Sequence, residues 1–315
     1  MQQQLLENIL KNQLFLPVIE RFVLLLLFGF ILIVILNKGR LKGIWQHELG
    51  KRYLSWIVIG ILFFTAIFLG SYTSLLFLTI TMILAINELS KLARLPAVYK
   101  YTLFVLSILT LLIAHQNTSL FYILPLFYLI CLTFIAIKQN NEKGLFNLTL
   151  SVYASIWIIF ALSHMVLLEK LNYQMDGTRS LIILVGFMVA LADIFAYLIG
   201  KGFSNTWIDR YKIAEKISPH KTYVGAIGNI IGAGIGIIIM YFAIGKYFSI
   251  NQLILLALIT GLLTSLGGFV QSLFKRYYGK KNSGNIIPGH GGILDRIDST
   301  VLTIIAIYYY LLLIL

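Results

Sequence analysis

Charged residues are scarce in this sequence. Aspartate, glutamate, lysine and arginine make up 12% of its 315 residues and hydrophobic residues 59%, whereas a soluble domain carries about 25% charged residues. So little polar side chain cannot cover a water-soluble fold of this length. Cysteine is nearly absent too. The single Cys131 lies inside an apolar run, which excludes a disulfide framework or a cysteine-rich metal site and argues against redox chemistry. Apolar–polar alternation is also missing. The apolar runs are continuous and reach about 17 residues or more, enough to cross a hydrocarbon core about 30 Å thick. Backbone groups inside lipid must be paired within their own segment, so continuous runs predict helices and exclude a β-barrel. No small-residue cleavage site follows the first run, which begins after Glu20 and Arg21, so it reads as a retained span and not a signal peptide.

What is present predicts an all-α, polytopic integral membrane protein of about ten transmembrane helices. They fall at about residues 22–37, 54–70, 71–89, 101–115, 119–138, 145–168, 180–200, 223–245, 252–271 and 299–315. Residues 1–21 form an N-terminal tail or an interfacial helix, with Leu5, Leu6, Ile9, Leu10, Leu14 and Leu16 among polar residues. Residues 22–170 form an N-terminal transmembrane region, and 180–315 a C-terminal one that carries the candidate site. Lysine and arginine orient this arrangement, because cytoplasmic loops hold the excess. Of the 25 basic residues, 20 fall in alternate loops on one side. Lys11, Arg21, Lys170, Arg179 and Lys246 fall on the other, which puts both termini opposite the cytoplasm. The net charge of +13 is therefore mainly an orientation signal. Because it is divided among loops, no nucleic-acid partner is expected.

The two longest cytoplasmic loops, about 201–222 and 272–298, differ from the others in content. The second contains Ser272, Lys275, Arg276 and Lys281, then Pro288-Gly289-His290-Gly291-Gly292-Ile293-Leu294-Asp295-Arg296-Ile297-Asp298. Glycines 289, 291 and 292 permit positive φ and a close approach of backbone amides to phosphate oxygens, and lysine and arginine add charge there. Asp295 and Asp298, at i and i+3, share a face if a helix begins at that point and could bind one or two cations. Oxygen ligands without thiols favour Mg²⁺ over Zn²⁺. Taken singly, these features also fit turns, a helix cap at Asp298 and a structural His290. The first loop offers Ser218, Lys221 and Thr222 as phosphate donors, with a capped helix entry as the competing reading. Asp193 lies inside the seventh span, where it needs a cation, a basic partner or water. Glu88 sits near the end of the third, and its closeness to the interface and to Lys91 predicts a plain salt bridge.

These residues resemble the phosphatidate cytidylyltransferase (CDP-diacylglycerol synthase) family, whose closing signature reads S-x-x-K-R-x4-K-D followed by P-G-H-G-G-x-x-D-R-x-D. Ser272, Lys275, Arg276, Lys281 and the run from Pro288 to Asp298 fall on it in register. Asp193, Tyr197, Gly200 and Lys201 resemble an upstream element, and Ser218 to Thr222 an S-P-x-K-T element. The recognisable part is about the last third of the chain. The resemblance implies transfer of a cytidylyl group from CTP to phosphatidate, giving CDP-diacylglycerol and pyrophosphate with Mg²⁺, at a membrane surface and often in a homodimer. It implies metal at Asp295 and Asp298, with Asp193 as a further candidate. Phosphates would meet Lys221, Lys275, Arg276 and Arg296, and His290 would position a ligand. Ser218, Thr222, Ser272, Lys281, Gly289, Gly291 and Gly292 would complete the substrate contacts.

Two departures stand out. Lys281 is followed by Asn282 where the family has aspartate, and Gly267 by Gly268 where it has Gly-Asp. The missing acids keep open a degenerate homologue that binds lipid or nucleotide, and the fold keeps open a CTP-dependent lipid kinase. A transporter is weaker, because no inverted halves are visible.

Overall fold

The computed structural model describes residues 12–36, 48–139, 143–175, 178–203, 212–219, 221–289 and 291–315. Among these, every named element is a helix, and the extended pairings are two isolated bridges, Lys212 with Thr222 and Ile287 with Gly291. The helices are α1 (Phe15–Leu36), α2 (Glu48–Leu69), α3 (Ser71–Ala93), α4 (Ala97–Gln116), α5 (Thr118–Phe121), α6 (Leu124–Gln139), α7 (Gly144–Ala154), α8 (Ala161–Met175), α9 (Ser180–Gly202), α10 (Tyr223–Ile244), α11 (Ile250–Tyr277) and α12 (Leu294–Ile314). A π-helical turn, Ser155–Phe160, joins α7 to α8.

With α7, the π turn and α8 taken as one, nine of the described helices are long and apolar enough to cross a membrane. The chain is an integral, multi-pass membrane protein. Nine of the ten expected spans correspond to these helices, and the fifth departs from expectation. Asn117 caps the four-residue α5 by accepting from Leu120 N–H at 3.1 Å, and α6 restarts at Leu124 with only 16 residues. Pro125 accounts for the break. It has no N–H to offer the preceding turn and fits a helix only in its first turn. The first span also begins earlier than expected, at Phe15, so residues 15–21 belong to α1; residues 1–11 lie outside the described residues. α11 continues to Tyr277, so Ser272, Lys275 and Arg276 stand on a helix and not in a loop.

The C-terminal helices pack through missing side chains. Gly228, Gly232 and Gly236 recur every fourth residue on one face of α10. A Cβ at each would overlap the α9 backbone: the Phe195 carbonyl oxygen at 2.8 Å, the Leu191 carbonyl, and Met188 Cα at 2.8 Å. Small residues in this spacing let two backbones touch, which is how helices associate in lipid. The series continues on α11, where a Cβ at Gly261 would come within 2.6 Å of Ile230 Cα of α10 and one at Gly267 would overlap the Asp298 carbonyl of α12. The consequence is local. Asp193 on α9, Gly268 on α11 and Asp298 on α12 are drawn to one place. About 20 Å away along α9, the opposite end is tied by Arg179, which pairs with Glu169 at 2.9 Å and donates to Ser71 Oγ at 3.1 Å and to the Ile67 carbonyl.

Candidate active site

Where α9, α11 and α12 converge, a cavity of about 480 Å³ opens, and residues from separate parts of the chain line it. Asp193 comes from α9, Lys221 from the entry to α10, Ser272 and Lys275 from α11, and Asp295, Arg296 and Asp298 from the first two turns of α12. Lys281, Asn282 and Gly289 come from the connection between α11 and α12, and Arg52 from α2. Five cations and three carboxylates therefore face one space.

Two of the carboxylates form a pair. The Ser299 hydroxyl, 2.7 Å from Asp193 Oδ2 and 3.2 Å from Asp298 Oδ1, donates between them, and Ser299 N–H donates to Asp298 Oδ1 at 2.8 Å. Asp193 Oδ1 and Asp298 Oδ2 accept no hydrogen bond from the described residues. Lys221 faces the same corner. Its Nζ lies 4.5 Å from the centre of the Phe269 ring and fills the space that a Cβ at Gly268 would need. Burial pushes the Lys221 ammonium below the usual lysine range; Asp298 and then Asp193 pull it back up, and Lys275 adds to the depression. The Arg296 Nε is buried without a partner among the described residues, so the guanidinium has a donor to offer a ligand.

Asp295 is placed differently. Its Oδ1 accepts from Lys275 Nζ at 2.7 Å, and its Oδ2 from the Ser283 and Gly292 N–H groups at 2.8 and 3.0 Å. Both oxygens are thus engaged by protein donors, at the start of α12 where negative charge is favoured. Asp295 and Asp298 do share a helix face, as their spacing implies, but the pair with open oxygens is Asp193 and Asp298. The glycine amides follow the same logic. Gly291 N–H bonds to the Ile287 carbonyl at 3.0 Å and Gly292 N–H to Asp295, so neither is free for phosphate.

Glu88 corrects another expectation. Its side chain is buried at 3% exposure and turns away from the exposed Lys91, into the connection that precedes α12. There it accepts from Ile293 N–H at 3.0 Å, from Leu294 N–H at 2.9 Å and from the Ser283 hydroxyl at 3.2 Å. These backbone donors belong to the N-terminus of α12, which has no earlier turn to bond with. Gly284 and Gly292 are small because the Glu88 carboxylate occupies the space beside them. On the other side of the connection, Arg52 Nε donates to the Gly289 carbonyl at 3.0 Å and Ser55 Oγ to the Pro288 carbonyl at 2.8 Å. Gly289 adopts φ +74° against the α2 backbone, a region that disfavours other residues.

Of the residues singled out in the sequence, Asp193, Lys221, Ser272, Lys275, Lys281, Gly289, Asp295, Arg296 and Asp298 reach the cavity. Arg276 does not. It is exposed, and it donates to the Ile217 and Lys280 carbonyls at 3.3 and 3.0 Å, clamping two connections. Thr222 caps α10 by accepting from Gly225 N–H at 3.1 Å, the competing reading of that segment, and Ser218 stands outside the lining. His290 lies outside the described residues. Sequence reasoning missed Ser299, Arg52 and the clasp made by Glu88. An acid near the end of an apolar span was the one signal for the last.

The sequence pattern of the cytidylyltransferase family matches residues 50–314. A phosphatidate cytidylyltransferase of Staphylococcus haemolyticus is 30% identical over 260 residues, covering 79% of this chain and 93% of that protein. One from Rickettsia conorii is 30% identical over 191 residues, covering 58% and 80%. One from Synechocystis is 40% identical over 125 residues, covering 39% and 40%. The match spans the helices that bring the charged residues to the cavity and the connection that Glu88 holds, and the chain belongs to the cytidylyltransferase family.

Proposed function

We propose that this chain transfers the cytidylyl group of CTP to phosphatidate, releasing pyrophosphate and leaving CDP-diacylglycerol in the membrane. The observation that carries this reading is the convergence of Asp193, Lys221, Lys275, Arg296 and Asp298, from four separate segments, on one cavity. A phosphate oxygen of the lipid attacks the α-phosphorus of CTP, and the bond to pyrophosphate breaks. The nucleophile is already an anion, so no protein nucleophile or obligatory base is needed. The protein's contribution is positioning and charge. Lys221 and Arg296 take phosphate oxygens at the carboxylate end. Lys281, at the exposed rim, meets the triphosphate as it enters. Lys275 keeps Asp295 neutralised and so fixes the first turn of α12.

Five cations against three carboxylates leave a small positive excess, whereas a triphosphate and a phosphate monoester bring several more negative charges. Mg²⁺ fits that deficit. It binds through one or two carboxylates together with substrate phosphates and water, and Asp193 and Asp298 present that set. Among the described residues no group of three or more His, Cys, Asp or Glu is arranged to hold a metal, so Asp193 and Asp298 would hold the ion together with substrate oxygens and water. When bound, the ion would polarise the phosphoryl oxygens and neutralise developing charge. The cavity faces the cytoplasm and both termini face away, in keeping with the lysine and arginine distribution.

Purified protein in detergent, given CTP, Mg²⁺ and phosphatidate, should release pyrophosphate, and Asp298→Ala should abolish the release. Release that survives Asp298→Ala refutes the mechanism. CDP as the nucleotide product would identify a lipid kinase. Activity that emerges only after Gly268→Asp with Asn282→Asp would identify a binding module.

A further inference from the structure

The cavity has a second wall, and that wall is apolar. Gly29, Leu32 and Ile33 of α1 face it together with Trp56 of α2 and Leu198 of α9. Their i, i+3, i+4 spacing on α1 puts the first three on one helical face, while Leu24, Phe28, Ile31 and Ile35 of the same helix are exposed at 50% or more toward what would be lipid. The helix that builds this wall ends at Leu36, ahead of the family-matched residues 50–314. It is joined to α2 mainly by aromatic contacts. Phe22 lies against Gly60 and packs edge-on to Phe64 at 4.9 Å, and Tyr53 OH donates to the Leu26 carbonyl at 2.9 Å.

Gly29 is the informative position. Glycine in a helix interior is unfavourable relative to alanine, and most interior glycines in this protein are required by a neighbouring backbone or ring. Gly29 is not: a Cβ there would meet Tyr53 at 3.5 Å, an ordinary contact. Its missing side chain does not serve packing. It enlarges the cavity instead.

On the basis of the cytidylyltransferase reading above, we infer that this face of α1 is the subsite for the acyl chain of the lipid-phosphate acceptor and determines which lipids are accepted. The wall is continuous with the end that holds Asp193, because Asp193, Ile194, Tyr197 and Leu198 of α9 all line the same space. A lipid whose phosphate reaches the carboxylates must therefore lay its proximal methylenes along Leu32 and Ile33. The outer face of α1 is apolar, so the chain can enter from the bilayer without crossing water. Tyr53 and Trp56 make the cytosine ring the competing occupant, and the two predict opposite kinetics.

Gly29→Leu fills the space beside Leu32 and Ile33, and Gly29→Ala is a smaller intrusion that packing tolerates. The inference expects Gly29→Leu to raise KM for a long-chain phosphatidate by about tenfold or more, to leave KM for CTP unchanged, and to spare a dihexanoyl acceptor. Gly29→Ala should raise the same KM by less and melt at the wild-type temperature, because packing tolerates its Cβ. A rise in KM for CTP, or no change with either substrate, overturns it. A second measurement does not depend on turnover. In a Cys131→Ser background, Leu32→Cys carrying a bimane label should be quenched saturably by chain-brominated phosphatidate in nanodiscs, with unlabelled phosphatidate competing. Linear quenching equal to that of brominated phosphatidylcholine would place only bulk lipid at α1. Absence of turnover in the wild type would sink the proposed reaction, while the quenching result would still decide the subsite.

Discussion

Glu88 joins the N-terminal half of the protein to the segment that presents Asp295 and Asp298, so truncating it should loosen the site from a distance. Glu88→Ala removes the acceptor for two backbone N–H groups, Ile293 and Leu294, and for the Ser283 hydroxyl. The hydroxyl can turn to another partner, but the two amides cannot. An unpaired buried donor costs about 1–3 kcal/mol, so the loss is about 2–6 kcal/mol. Glu88→Gln keeps the shape and one acceptor while turning an NH₂ toward the other amide, which limits the loss to about 1–3 kcal/mol. Every 1.4 kcal/mol is a factor of ten in opening. Hydrogen exchange at Ile293 and Leu294 should therefore accelerate about tenfold or more in Glu88→Gln and by a further factor in Glu88→Ala, with exchange in α5 and α6 unchanged. Turnover should fall in the same order. Unaltered exchange at Ile293 and Leu294 in Glu88→Ala, with full turnover, would refute the role assigned to this carboxylate.

Three further outcomes follow from the geometry. Asp298→Asn should abolish divalent-dependent turnover and leave thermal stability near wild type, whereas Asp295→Asn leaves Lys275 unpaired in a largely buried position and should lower stability by about 3 kcal/mol, a contrast visible in paired melting and activity assays. Gly268→Ala puts a Cβ where the Lys221 ammonium sits; the flexible lysine should move aside with little loss of stability, and KM for CTP should rise several-fold in steady-state kinetics. Gly232→Ala drives a methyl into the Leu191 carbonyl and should cost about 1–3 kcal/mol through overpacking, measured as a lower melting temperature in detergent, with reduced turnover because α9 carries Asp193.

Much of the architecture was legible in the chain because lipid imposes it. Continuous apolar runs have few alternatives to helices, and nine of the ten expected spans match long apolar helices. The fifth, built from α5 and α6, is interrupted where one helix was expected, because hydropathy ignores the missing N–H of Pro125. The motif residues were legible as chemistry, and most of them reach the cavity. Their pairing was not. Asp295 and Asp298 stand three residues apart in the sequence, but only the glycine contacts among α9, α10, α11 and α12 reveal that Asp298 belongs with Asp193. Arg276 lies within the signature run, yet in the last turn of α11 it is exposed and serves the connections. Glu88 was visible only as an acid near the end of an apolar span, read as a salt bridge to Lys91; its partners are about two hundred residues away, and no local pattern names them. The Gly268 departure gains a physical meaning only from the fold, where the Lys221 ammonium fills the vacated space.

The central claim is that the paired carboxylates of α9 and α12 organise attack on the α-phosphorus of CTP. Single-turnover reactions with CTP labelled at the α- or the γ-phosphate, in wild type and in Asp193→Asn, test it most directly. The account predicts that α-label enters the lipid with γ-label released as pyrophosphate, and that Asp193→Asn stops both. Transfer of γ-label to the lipid, or α-label transfer undiminished in Asp193→Asn, would contradict it.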